Sequence, residues 1–153
     1  MSTDTAGSIA LDRALISETI FRYHRSFDLK DWETCRGFFT DTVEVETSGM
    51  EGSVAQVQNF ARDKMVRILQ KMGPADSASQ HFSGNHIIEI DGDAAVCIAS
   101  SMARTARTQD GKTAVTFVGG WYTFYLVRTR EGWKIRKFRF DQAWTGLHPP
   151  DSI

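Results

Sequence analysis

Asp28, His81 and Tyr23 supply a carboxylate, an imidazole and a phenol, the set that acid-base chemistry without a cofactor requires. An imidazole titrates at about pH 6.5, and a carboxylate on its far nitrogen fixes the tautomer and raises the basicity of the near one. Such a pair can take a proton from carbon beside a carbonyl. A phenol close by can then hydrogen-bond the developing oxyanion or act as acid toward a leaving group. Taken singly, each residue type is more often structural: a loop carboxylate, a strand-edge histidine, an amphipathic core tyrosine.

The expectation that these three meet rests on where each sits. Ile16, Ile20, Tyr23 and Phe27 recur at spacings of four, three and four, one face of a helix running from about residue 9 to 27. Asp31 is placed to N-cap a second helix over 32–39, so Asp28 falls at the C-terminal end of the first. An anion there costs about 0.3 to 1 kcal/mol. A compensating partner is therefore expected, and His81, opening a strand as Gln80-His81-Phe82, is the candidate. His24 could pair with Asp28 along the helix instead, but it lies off the apolar stripe and is expected on a solvated face. Ser83 and Asn85 share the strand parity of His81 and are expected to line the same wall. His86 has the opposite parity and reads as an outer-face or interface residue, and His148 receives no role.

The remaining elements frame that site. Val43 to Glu46 alternates as a half-buried strand, and Ser53 with Gln56 forms a capping box for a third helix whose apolar stripe runs from Val57 to Leu69. Gly73-Pro74 ends it. From His81 the period is two, giving strands over 81–90, 94–108, 112–129 and 133–144, joined at Asp91-Gly92, Asp110-Gly111 and Glu131-Gly132. Bulges are expected at Gly119-Gly120 and where the parity of the last strand slips between Ile135 and Phe138. The fold class is α+β: a curved antiparallel sheet forming a cone closed by three N-terminal helices. Small residues from Ala94 to Ala103 leave room for a cavity or for close helix packing. The strand through Val115 to Val127 is apolar on both parities, so a second copy of the chain is expected to cover its outer face.

With 153 residues and a formal net charge of −1, the chain is the length of one domain and carries no basic footprint for nucleic acid or an anionic membrane. Cys35 and Cys97 lack metal or redox spacing and read as reduced side chains, which favours the cytoplasm. No leader-like start or membrane span is visible. A Gly-rich phosphate loop, an HExxH helix and a nucleophile elbow are all missing, leaving nucleotide, zinc-protease and serine-type chemistry without sequence support.

Ser26 to Trp32, Gln80-His81-Phe82 and the closing Trp133-Lys134 with Asp141 and Trp144 resemble the SnoaL-like branch of the nuclear transport factor 2-like superfamily, the scytalone dehydratases most closely, over roughly residues 10–145. The resemblance implies a cystatin-like cone with a deep pocket, no metal or organic cofactor, a small-molecule substrate and a homo-oligomer, trimeric or alternatively dimeric. It implies general acid-base catalysis by Asp28 and His81. The two tyrosines that hold a water in scytalone dehydratase match Phe27 and Thr47, and its second histidine aligns near Thr105. Tyr23, five residues before Asp28, is similar to the tyrosine of bile acid 7α-dehydratase. The same pair resembles that of a hexachlorocyclohexane dehydrochlorinase. The implied activity is dehydration of a cyclic, largely apolar hydroxy-carbonyl compound, with Phe27, Thr47, Ser83, Asn85, Trp121 and Trp144 contacting substrate. The rivals are an isomerase or cyclase using the same base, and a non-catalytic subunit such as the small subunit of aromatic-ring dioxygenases.

Overall fold

The computed structural model describes residues 3–48 and 56–148. Helix α1, Thr3–Asp28, buries Ile16, Ile20, Tyr23 and Phe27, the face that the spacing demands. The short α2, Trp32–Gly37, is capped by the Asp31 side chain accepting from the Thr34 N–H at 3.1 Å. It ends two residues earlier than expected, because Phe39 opens a strand. Strands β1 (Phe39–Ser48), β2 (Gln56–Ala61), β3 (Ser77–Asp91), β4 (Ala94–Gln109), β5 (Lys112–Thr129) and β6 (Gly132–His148) form one curved, unclosed sheet in the order β2-β1-β6-β5-β4-β3. Among the described residues only β1 and β6 run parallel. Helix α3, Arg62–Met72, completes the helical layer.

The third helix is shorter than expected. Ser53 lies outside the described residues, and 56–61 form an antiparallel strand on β1, pairing Val43 with Phe60 and Val45 with Gln58. Val57, expected on a buried helical stripe, is 55% exposed. Backbone pairing to β1 overrides a pattern short enough to suit both periods. From Arg62 the helix holds, burying Met65, Val66 and Leu69 and ending at Gly73.

Both expected bulges in the last strand pair are present. Gly119 faces Trp144 while Gly120 faces Gln142, leaving Ala143 unmatched; Tyr125 faces Lys137 while Leu126 faces Ile135, leaving Arg136 unmatched. A third, unexpected bulge lies in β3 between Gly84 and Ile87, where Asn85 takes a φ of 51°. The Asp110-Gly111 turn has φ of 52° and 75°, the left-handed pair of a tight hairpin. Of the small residues of β4, Ala95, Cys97 and Ala99 are buried in the core with Phe124 and Leu126, while Ser100 and Ser101 border a depression of about 480 Å³. Both cysteines are free and buried.

The other end of α1 is fixed by charge. Arg128 of β5 donates two hydrogen bonds to Asp12, at 2.6 and 2.7 Å, and lies 4.5 Å over the Trp133 ring. On the outer face of the sheet Phe82, Ile87, Ile98, Trp121 and Trp144 are exposed. The two glycines at the β5 bulge make different demands there. A Cβ on Gly119 would meet the Trp144 indole at 2.1 Å, whereas one on Gly120 would meet the Asp141 carbonyl oxygen at 2.1 Å. A half-exposed indole can swing aside and a paired backbone cannot. Gly120→Ala should therefore cost about 1 to 3 kcal/mol, and Gly119→Ala clearly less. Urea denaturation midpoints of the two variants check the order.

Candidate functional site

Helix α1 ends in a left-handed residue, Lys30, at φ 59°. The Lys30 N–H donates to the Phe27 carbonyl and the Asp31 N–H to that of Ser26, the paired bonds that close a helix when the residue past its cap turns left-handed. This stop leaves Asp28 in the last helical position, its carboxylate turned toward β3. There the His81 backbone N–H donates to Oδ2 at 2.8 Å, and the ring Nδ1 lies 2.6 Å from Oδ1. One residue of the strand thus offsets the anion at the negative end of the helix. Burial pushes the Asp28 carboxyl up, but the hydrogen bonds from the His81 ring and backbone outweigh it and hold the group below the usual carboxylate value.

An ionised carboxylate accepts only, so Nδ1 carries a proton, and in the neutral imidazole Nε2 then keeps its lone pair. Among the described residues nothing hydrogen-bonds that nitrogen. The two side chains are 16% and 11% exposed. They line a groove of about 340 Å³ between α1 and β3, together with Phe21, His24, Arg25 and Ser83. The Phe27 ring packs edge-on to His81 at 5.1 Å.

Tyr23 is not brought to this pair. It lines a neighbouring, mostly apolar cavity of about 350 Å³ under the sheet, with Tyr122, Phe60, Ile68, Phe138 and Phe140. Tyr23 precedes Asp28 by five residues, more than one helical turn, so the two side chains leave α1 on different sides. Burial pushes the Tyr23 phenol well above its ordinary value and that of Tyr122 up to about 12, so both are neutral hydrogen-bond donors. His24 stands between the two spaces, 5.0 Å from the Tyr23 ring, 5.8 Å from Tyr122 and 5.2 Å from His81.

His24 is the largest correction. Expected in solvent, it is 5% exposed, and its ring lies within 11° of parallel to that of His81. Neither ring nitrogen has a hydrogen-bond partner among the described residues. Leaving such a group unsatisfied costs about 1 to 3 kcal/mol. Burial, then the neighbouring His81, lowers its pKa to about 3. The spacing of four from Ile16 to Ile20 to His24 was a usable signal for its burial.

The β3 bulge corrects two more expectations. By inserting a residue at Asn85 it reverses parity, so His86 turns inward with Ile88 while Asn85 is exposed and leaves the groove wall. His86 stacks on Phe21 at 4.8 Å; its Nδ1 is 2.9 Å from the Ser17 hydroxyl and its Nε2 3.0 Å from that of Ser83. Burial lowers its pKa. Ser83 stays on the groove wall as expected. Trp121 and Trp144 do not reach it: they border an outer-face depression of about 480 Å³ with Phe82 and Met102, because their β5 and β6 positions have outward parity. The backbone of Thr47 pairs with Phe140 in β1, and its side chain lies outside the described residues. Among the described residues no cluster of three or more His, Cys, Asp or Glu is arranged to hold a metal ion. No described helix is long and apolar enough to cross a membrane.

The SnoaL-like domain family matches residues 8–139. The chain belongs to this family. A comparison with curated proteins found no match. Among solved structures, a Kribbella flavida protein is similar at 25% identity and a TM-score of 0.80, covering 90% of this chain and 95% of that one. A candidate scytalone dehydratase from Novosphingobium aromaticivorans is similar at 17% identity and a TM-score of 0.76, covering 92% and 90%. A type 2 hexachlorocyclohexane dehydrochlorinase follows at 14% and 0.70, covering 94% and 96%. At the last two identities the likeness is one of fold.

The buried imidazole should make this SnoaL-like domain less stable in acid. Folded, His24 stays neutral to about pH 3, whereas an unfolded histidine protonates at about 6.5. Between those values the unfolded state binds the extra proton, so stability falls as pH falls, by up to about 1.4 kcal/mol per unit. His86, lowered too, acts in the same direction, while Asp28 adds its loss only below the ordinary carboxylate value. In His24→Phe, the unfolding free energy measured in urea should fall less steeply from about pH 6.5 to 4.5 than in the unaltered chain.

Proposed function

We propose that this SnoaL-like domain is a cofactor-independent lyase that dehydrates a cyclic, largely apolar hydroxy-carbonyl compound of polyketide, steroid or terpenoid type. The observation that carries the reading is the 2.6 Å contact of His81 Nδ1 with Asp28, which leaves Nε2 as a free base on the groove. His81 Nε2 takes the proton from carbon adjacent to the substrate carbonyl, and the electron pair moves to the carbonyl oxygen as an enolate. Collapse of the enolate expels the β-hydroxyl, which leaves with the proton held on His81 as water. Asp28 holds the ring and stabilises the imidazolium formed midway.

Ser83 sits beside the base on the groove wall, its hydroxyl oriented by the neutral His86, and supplies the hydrogen bond to the enolate oxygen. Tyr23 and Tyr122 serve the apolar body of the substrate from the inner cavity. The names of the structural relatives, a candidate scytalone dehydratase and a dehydrochlorinase, support elimination as the reaction class.

The outer-face patch of Phe82, Ile87, Ile98, Trp121 and Trp144 supports a homo-oligomer, a trimer in this proposal with a dimer as the alternative. Light scattering at micromolar concentration should show a mass above that of one chain; a stable monomer overturns this part.

Asp28→Asn keeps the shape of the pair and removes its charge. The variant should fold and assemble normally yet lose roughly a hundred- to ten-thousand-fold in turnover of a hydroxy-carbonyl substrate. Turnover and melting temperature measured side by side decide it, and unchanged turnover in the folded variant would remove the pair as the engine.

A further inference from the structure

A buried imidazole with two unpartnered nitrogens gives the fold nothing that a phenylalanine or leucine would not give at less cost. His24 occupies such a position on the wall of the groove, its ring beside Tyr23 and Tyr122, which line the inner cavity. Its ring stacks on that of His81, with centroids 5.2 Å apart, which keeps the two imidazoles in contact. The rings around it, Tyr23, Phe124 and Tyr122, offer faces and edges, and none of them hydrogen-bonds it. The unmet hydrogen-bonding capacity is one N–H donor and one lone pair, the complement of a hydroxyl or carbonyl group.

We propose that His24 is a substrate-binding residue whose neutral imidazole hydrogen-bonds an uncharged hydroxyl or carbonyl oxygen of the ligand, placing that group against His81. The proposal rests on the reading of the groove as the substrate site. Because burial keeps the ring neutral, it recognises an uncharged oxygen without adding a second cation beside the imidazolium that His81 becomes. A charged ring at that distance would oppose proton uptake by His81. A neutral one does not, and this accounts for a histidine buried deeply enough to stay unprotonated.

The test uses the full chain with 15N-labelled histidine and two probes, 2-naphthol and its apolar counterpart naphthalene. Saturation with 2-naphthol should shift the ring nitrogens of His24 and His81 and leave His148 unmoved. His24→Phe should bind 2-naphthol about tenfold more weakly and naphthalene equally well, at an unchanged or higher melting temperature. Undiminished 2-naphthol affinity in folded His24→Phe overturns the proposal, as does absence of 2-naphthol binding to the unaltered chain. A lower melting temperature in both His24→Phe and His24→Leu also overturns it, marking the nitrogens as ligands of a structural water. A shift at His24 without one at His81 leaves the binding role standing and removes the elimination reading, since the ligand would not reach the base.

Discussion

A carboxylate held at the negative end of a helix is the constraint around which this domain is arranged. Asp28 is stable there because a single strand residue, 53 positions later, offers it both a backbone N–H and a ring N–H. The same contact docks the end of α1 onto the edge strand β3, and the Asp12–Arg128 pair fixes the other half of the helix to β5. Between these two points the Ile16, Ile20 and Tyr23 face is pressed onto the sheet. Position and chemistry are thus coupled. The interaction that seats the helix also selects the histidine tautomer, and the helix cannot tilt without disturbing the base.

Two spaces rather than one result from this seating. Tyr23 and Asp28 leave α1 on different sides, and the rings of Phe27, His24 and Tyr122 fill the ground between them. The phenols belong to an apolar cavity under the sheet, while the base faces a groove along α1 and β3.

Much of this was legible in the sequence, and the reasons are local. The α1 stripe, the Asp31 cap, the acidic-Gly hairpin turns and the partnership of Asp28 with His81 each follow from spacing or from an unfavourable charge position that demanded a partner. Of the two bulges between β5 and β6, one was visible in the Gly119-Gly120 pair and the other as a slip of parity. What stayed hidden depended on tertiary context. Residues 56–61 carry a pattern that serves helix or strand, and only the β1 partner decides it. The β3 bulge leaves no trace beyond the Gly84-Asn85 pair, so the faces assigned to Asn85 and His86 came out reversed. His24 lies off the stripe drawn through Tyr23 and Phe27, which points to solvent, whereas its spacing of four from Ile20 points to the burial that the structure shows. Trp121 and Trp144 were expected at the substrate from the resemblance alone, and aromatic residues on both parities of β5 give no sign of which face is concave.

The β3 bulge has a further effect on what this sheet can join. Strand β3 is one margin of the sheet, a row of main-chain groups that another extended chain could copy. At Asn85 the left-handed backbone breaks the repeat of that row. An incoming strand pairing from Ser77 falls out of step after Gly84, and one pairing from Asp91 falls out of step before it. The margin is therefore two short pieces instead of one long one, and in the first of them the His81 N–H is already taken by Asp28.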